Sequence, residues 1–175
     1  MLADVAPYLR CPHCAAGLSL ADRVLGCASG HRFDVARQGY VSLLPGDARS
    51  GTADTARMVR ARAEFLASGE FGPLTDAVVR AVADAVGAEP ETVPGCVVDA
   101  GGGTGHHLAA VLDGFAHRVG ICCDLSRYAA RRAAFAICTT IETFAAIAWT
   151  ARARACDVPL PLLQIRHLCS QLVRS

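Results

Sequence analysis

Cys11, Cys14, Cys27 and His31 read C-x2-C-x12-C-x3-H. No other feature constrains the fold as strongly. Three thiols and one imidazole can close a tetrahedral zinc shell, and a short segment can supply all four ligands. Two residues between Cys11 and Cys14 form a knuckle that aims both sulfurs at one point, and Pro12 stiffens it. The twelve residues between Cys14 and Cys27 predict a hairpin that returns with Cys27 and His31. His13 lies inside the knuckle and is expected to face outward. The chain has nine cysteines, so unrelated thiols and a disulfide framework are the competing readings. Asp4 and Arg10 interrupt the opening residues, and no apolar run resembles a signal-peptide core. Without secretion, thiols stay reduced and the pattern is read as Zn2+ binding.

A length of 175 residues, 53% of them hydrophobic, allows one ordinary domain or a small domain plus a modest larger one. All seventeen basic residues are Arg and the net charge is +1. So small a charge argues against holding nucleic acid by charge alone. Arg does suit phosphate contact and base stacking better than Lys.

Residues 1–45 read as the zinc module, ending in Gly39-Tyr40-Val41-Ser42-Leu43-Leu44-Pro45, a strand-like run stopped by proline. Residues 46–72 hold a Gly/Asp/Ser/Thr linker (46–54) and a helix from Asp54 or Thr55. That helix carries Met58, Val59, Arg62, Phe65 and Leu66 at helical spacing, and Gly69 stops it. A second helix starts at Pro73. Its buried stripe is Leu74, Val78, Val82 and Val86, and Gly87 and Pro90 end it.

The next signal is an apolar strand from Cys96 running into Asp99-Ala100-Gly101-Gly102-Gly103-Thr104-Gly105, a D-x-G-x-G-x-G turn. Glycines there let backbone N–H groups approach a ligand that side chains would block. A helix over His107 to Leu112, a strand over Val119 to Cys123 and then Asp124 follow. Asp124 stands nineteen residues past Gly105, the place of an acid that accepts ribose hydroxyls. Ser126 could cap the next helix, Tyr128 to Ala134. The dinucleotide pattern G-x-G-x-x-G fails because His106 stands where its third glycine falls. The form with the leading acid is the S-adenosyl-L-methionine version of this β-α-β unit. A nicotinamide or flavin site, or a tight turn without ligand, are the alternatives. The candidate cofactor-binding residues are Asp99, Gly101, Gly103, Gly105, His106, Asp124 and Leu125.

Together these pieces resemble the bacterial 23S rRNA (guanine-N1)-methyltransferases, both housekeeping enzymes and the macrolide-resistance enzymes of antibiotic-producing actinomycetes. The resemblance is carried by the zinc set, by Arg37-Gln38-Gly39-Tyr40-Val41-Ser42-Leu43-Leu44-Pro45, and by Asp54-Thr55 with Met58, Arg62, Phe65 and Leu66. The glycine loop and Asp124-Leu125-Ser126-Arg127-Tyr128-Ala129-Ala130-Arg131-Arg132-Ala133 complete it. It covers residues 8 to 134. It implies an α/β chain: an N-terminal zinc-binding module that recognises RNA, then a Rossmann-like (class I) methyltransferase domain over 73–134. It also implies cytoplasmic methyl transfer to guanine N1 in a 23S rRNA hairpin loop, and it permits a homodimer. Arg32, Phe33, Arg37 and Tyr40 could contact RNA, or the two aromatics could pack the module. Arg57, Arg60 and Arg62 could line an RNA channel or solvate a helix face.

Past Ala134 no counterpart is recognisable, so residues 135–175 are expected to be a divergent, truncated or out-of-frame tail that leaves the domain incomplete. Phe135 to Ala151 is expected as a helix packed on the sheet. Glu142 and marginal length weigh against a membrane span there. No catalytic base is assigned; His106 and His107 beside the loop are candidates, or simply helix-start residues. Three functions remain: the methyltransferase, an inactive zinc-dependent RNA-binding fragment of one, and a nicotinamide enzyme with an unrelated zinc knuckle.

Overall fold

The computed structural model describes residues 2–44, 53–86, 95–115, 118–138 and 144–148. A short helix α1 (Leu2–Val5) runs into a 3-10 turn, Ala6–Tyr8. Three strands follow: β1 (Leu18–Ala21), β2 (Val24–Cys27) and β3 (Arg32–Asp34). They form an antiparallel sheet in the order β1-β2-β3. The predicted hairpin is present, with Leu18 opposite Cys27 and Ala21 opposite Val24. Its tight turn puts Asp22 at φ 54°, a conformation that a short polar side chain tolerates.

The second sheet has four parallel strands in the order β4-β7-β6-β5. They are β4 (Tyr40–Ser42), β5 (Gly95–Ala100), β6 (Arg118–Asp124) and β7 (Phe144–Ala148). Two helices precede β5: α2 (Ala56–Ala67) and α3 (Gly72–Val86). Helix α4 (His106–Asp113) connects β5 to β6, and α5 (Arg127–Cys138) connects β6 to β7. Val97 to Asp99 and Gly120 to Cys123 are buried as unbroken runs, as expected where both faces of a parallel sheet are covered. Neighbouring side chains serve opposite faces. Val98, Ile121 and Cys123 join Leu2, Val5, Leu9, Leu25, Val41 and Leu43, so the small sheet and the large one share a core. Val97 and Cys122 join Val78, Val82, Leu108, Val111 and Leu112 on the other side.

Thr55 caps α2 by accepting the Met58 N–H, and Gly69 follows its end at φ 83°. In α3, Val78 and Val82 are fully buried, as the stripe predicts, whereas Leu74 and Val86 are half-buried and Thr75, outside the predicted stripe, is buried; Gly87 and Pro90 lie outside the described residues. The apolar face predicted for α2 is only partly used. Val59 is buried, whereas Met58 and Phe65 are 48% and 52% exposed. The linker at 46–54 lies mostly outside the described residues.

The predicted helix over Phe135 to Ala151 requires correction. Helix α5 ends at Cys138, and Phe144–Ala148 is a strand pairing with β6 and β4. A five-residue apolar run suits the centre of a parallel sheet, where both neighbours satisfy its backbone. The sheet therefore has four described strands, one of them, Tyr40–Ser42, contributed by the N-terminal segment. Residues 149–175 lie outside the described residues. Among the described residues no helix is long and apolar enough to cross a membrane.

Candidate functional site

The knuckle and the hairpin bring the four predicted metal ligands together. Their donor atoms all lie within 4.8 Å of one another. His31 Nδ1 is 3.5 Å from Cys11 Sγ and 3.4 Å from Cys27 Sγ, and Cys14 Sγ is 3.6 Å from Cys27 Sγ. Zn–S bonds of ~2.3 Å and Zn–N bonds of ~2.0–2.1 Å at tetrahedral angles require separations of about 3.8 Å between sulfurs and about 3.5 Å between sulfur and nitrogen. The donor set and its spacing fit zinc. A side-chain hydrogen bond with Ser29 lowers the Cys14 thiol to about 6, which favours the thiolate that a metal needs. Cys11 is 1% exposed, and burial raises its thiol. His13 is exposed and stacks on Phe33 with ring centroids 5.9 Å apart. Its ring also lies 4.9 Å from that of His31, so it is exposed as predicted but sits against the ligand set, outside the four donors. Phe33 packs against the core and Tyr40 against the second core, while Arg32 and Arg37 are exposed.

The glycine loop leaves β5 and is fastened to the end of β6. Gly101 and Gly102 donate to the Cys123 carbonyl at 2.7 and 3.1 Å, and Gly105 donates to Gly102 at 2.9 Å. These amides are committed within the protein, contrary to the expectation that the loop offers them to a ligand. The glycines are required for another reason. Gly101, Gly103 and Gly105 have φ of 83°, 57° and 76°, where a side chain is strained. At Gly102 a Cβ would stand 2.6 Å from both Asp99 Oδ2 and Cys122 Sγ. Asp99 and Cys122 are both buried, so Gly102→Ala is expected to lower stability by about 1–3 kcal/mol through overpacking. Urea unfolding checks this, and a variant as stable as the parent would mean the loop relaxes freely.

Asp99 and Asp124 converge on this loop. Asp124 Oδ2 accepts the Gly103 N–H at 3.0 Å, and its Oδ1 accepts the Ser126 N–H at 2.8 Å. Asp99 is 4% exposed. Burial, and then the charge of Asp124, raise its carboxyl to about 6. Leu125 is half-buried between Asp124 and Ser126.

His106 and His107 open α4, but their rings turn toward α3. Thr75 Oγ1 lies 3.3 Å from His106 Nε2 and 3.1 Å from His107 Nδ1, and it also donates to the Phe71 carbonyl at 3.1 Å. One hydroxyl proton cannot serve three partners. When it goes to Phe71, both imidazoles must donate to Thr75, leaving His106 Nδ1 and His107 Nε2 as acceptors. Burial lowers both imidazoles, and His106 further lowers His107.

Residues 9–51 match the zinc-ribbon family model described as RlmA, N-terminal. Over 134 residues the chain is 53% identical to a 23S rRNA (guanine(748)-N(1))-methyltransferase of Streptomyces fradiae, a match covering 77% of this chain and 46% of that protein. Over 145 residues it is 50% identical to a putative 23S rRNA (guanine-N(1)-)-methyltransferase of Micromonospora griseorubida, covering 75% and 48%. This chain is related to the 23S rRNA (guanine-N1)-methyltransferases. It spans about half the length of the curated relatives it matches.

In this relative of the rRNA methyltransferases, three residues complete a ring of contacts around the loop, and sequence reasoning gave none of them that place. Ser126 Oγ donates to the Asp54 carbonyl at 2.6 Å and accepts the Ala129 N–H at 3.3 Å. The Asp54 carboxylate pairs with Arg62, and Arg62 lies against Gly103, whose N–H returns to Asp124. Ser126 had a signal, since a residue two past an Asp is placed for an Asx turn. The Asp54–Arg62 pair had none that separates it from an ordinary helix-face ion pair.

Proposed function

We propose that this chain binds S-adenosyl-L-methionine over residues 99–105 in a Rossmann-like domain. It transfers the methyl group to N1 of a guanine in a hairpin loop of 23S rRNA, in the cytoplasm. The single observation that carries this reading is the 3.0 Å hydrogen bond from Gly103 N–H to Asp124 Oδ2, which brings the two halves of the cofactor motif to one point. The relatedness to rRNA methyltransferases supports it.

S-adenosyl-L-methionine, when bound, supplies a methyl group activated on a sulfonium sulfur. Asp124 is pre-set for the ribose. Two backbone N–H groups orient its oxygens, and a carboxylate has acceptor capacity left for two hydroxyls. Gly101 is exposed at the mouth of the loop, leaving room for the nucleoside to approach. Guanine N1 lies on the Watson–Crick edge, so the base must be unpaired or turned out of its stack. The exposed Arg32 and Arg37 beside the zinc ribbon are suited to that RNA. The N1 proton must leave as the methyl arrives. The imidazoles of His106 and His107 stay neutral near pH 7 because burial lowers both, and that is the proton-accepting form.

Titration calorimetry with S-adenosyl-L-methionine and with NAD, followed by transfer of radiolabelled methyl to hairpin RNA, tests the reading. Binding of the first ligand alone, with label at guanine N1, is the expected result. Binding of NAD instead would overturn it. Cofactor-free RNA binding without transfer would identify the chain as an RNA-binding relative of the enzymes.

A further inference from the structure

We infer that Arg62 receives the carboxylate at the amino-acid end of the cofactor, and that Asp54 holds it there. The inference rests on the S-adenosyl-L-methionine reading and assigns a recognition residue within it. A Cβ at Gly103 would lie 3.4 Å from Arg62 Nη1 and 3.8 Å from its Cδ. The guanidinium therefore stands directly on the loop. Asp99 and Asp124 at this loop are acids, Asp54 is the partner of Arg62, and His106 and His107, lowered by burial, turn to Thr75. The two loop acids suit hydroxyls and a cationic amino group, and they repel a carboxylate. A zwitterionic amino-acid tail brought to this loop needs a cation, and Arg62 is a cation placed there.

The placement is built rather than incidental. Arg62 Nη1 pairs with Asp54 Oδ2 while 47% of the Arg62 side chain remains exposed. A planar fork of five donors can serve a second carboxylate without giving up the first. Asp54 is anchored in turn, because its carbonyl accepts the buried Ser126 hydroxyl at 2.6 Å. The next residue, Thr55, caps α2. The first turns of α2 are thus tied to the β6–α5 junction that carries Asp124, so the groups for sugar and carboxylate are fixed relative to each other before any ligand arrives.

The test uses the full chain and two nucleosides that differ in the amino-acid tail. S-adenosylhomocysteine has it, and 5′-methylthioadenosine lacks it. The parent protein is expected to prefer S-adenosylhomocysteine by at least about tenfold. Arg62→Gln is expected to weaken that ligand by about ten- to a hundredfold, the effect of losing a charge-assisted hydrogen bond, while 5′-methylthioadenosine binds within about threefold of the parent value. Unchanged affinity for that nucleoside also shows that the variant is folded. Arg62→Lys, which keeps the charge and loses the fork, should fall between. If Arg62→Gln keeps the parent preference, or weakens both nucleosides equally, Arg62 does not read the carboxylate. If the parent chain binds neither nucleoside, the cofactor reading itself fails and Arg62 falls with it.

Discussion

Removing zinc with a chelator is expected to unfold the N-terminal sheet and to loosen the parallel sheet with it. The three antiparallel strands have four, four and three residues, too few to bury a core of their own. Structural zinc contributes about 10–16 kcal/mol of apparent folding free energy in zinc-finger peptides, more than a typical domain's whole net stability of about 5–15 kcal/mol in most cases. Here the effect crosses the module boundary. Cys11 belongs to the same buried cluster as Val98, Ile121 and Cys123 of β5 and β6. Strand β4, which follows the zinc ligands in the chain, pairs with β7 in the larger sheet. Cys11→Ser should therefore act like the chelator, with loss of metal and of most of the cooperative transition. Cys96→Ser, outside the ligand set, should keep one zinc per chain. Metal analysis and thermal melting with and without chelator measure both. A chelated protein that melts at the same temperature, with unchanged amide protection in β2 and β6, would show that the metal holds nothing together.

What was readable in the sequence was whatever depends on short spacing. The zinc set closes over twenty-one residues (Cys11 to His31), the glycine turn over seven, and the α3 stripe over single helical turns. Each is a local pattern in which the identity of the residue states the requirement. Pairings across long separations were not readable. Tyr40–Ser42 could be seen as a strand, but nothing in its neighbourhood shows that its partner is Ala146–Ala148. From sequence that partner is expected within a helix, because a short apolar run has no periodicity to separate the two. The partners of the glycine-loop amides are illegible for the same reason. The carbonyl they bind belongs to Cys123, and only the register of β5 against β6 brings it there. The Asp54–Arg62 pair shows the limit from the other side. In the sequence one marks a helix start and the other an RNA contact or surface charge. Their shared position over Gly103 emerges only when α2 is placed beside the loop.

Replacing Asp99 with asparagine is expected to stabilise the ligand-free chain at pH 7.5 and to weaken its hold on the cofactor. The carboxyl is 4% exposed, and burial followed by repulsion from Asp124 raises it from 3.8 to about 6. A group raised in this way binds its proton more tightly in the folded state than in the unfolded one. Stability therefore falls as the pH rises from about 4 to about 6, and above that range the full cost of the ionised form remains. A shift of this size corresponds to about 3 kcal/mol, at 1.36 kcal/mol per unit. The amide side chain removes that cost with nearly the same shape, so Asp99→Asn should gain up to about 3 kcal/mol at pH 7.5 and almost nothing at pH 4. The retention of such a costly carboxylate beside a glycine loop makes sense if a cation meets it when the site is filled. The variant should then bind S-adenosyl-L-methionine at least about tenfold more weakly, the loss of one charge-assisted contact. Urea titrations across pH 4 to 8 and calorimetry at pH 7.5 measure the two effects separately. A stability difference that does not grow with pH would show that the buried carboxylate is satisfied within the fold, and an unchanged affinity would show that the ligand does not need its charge.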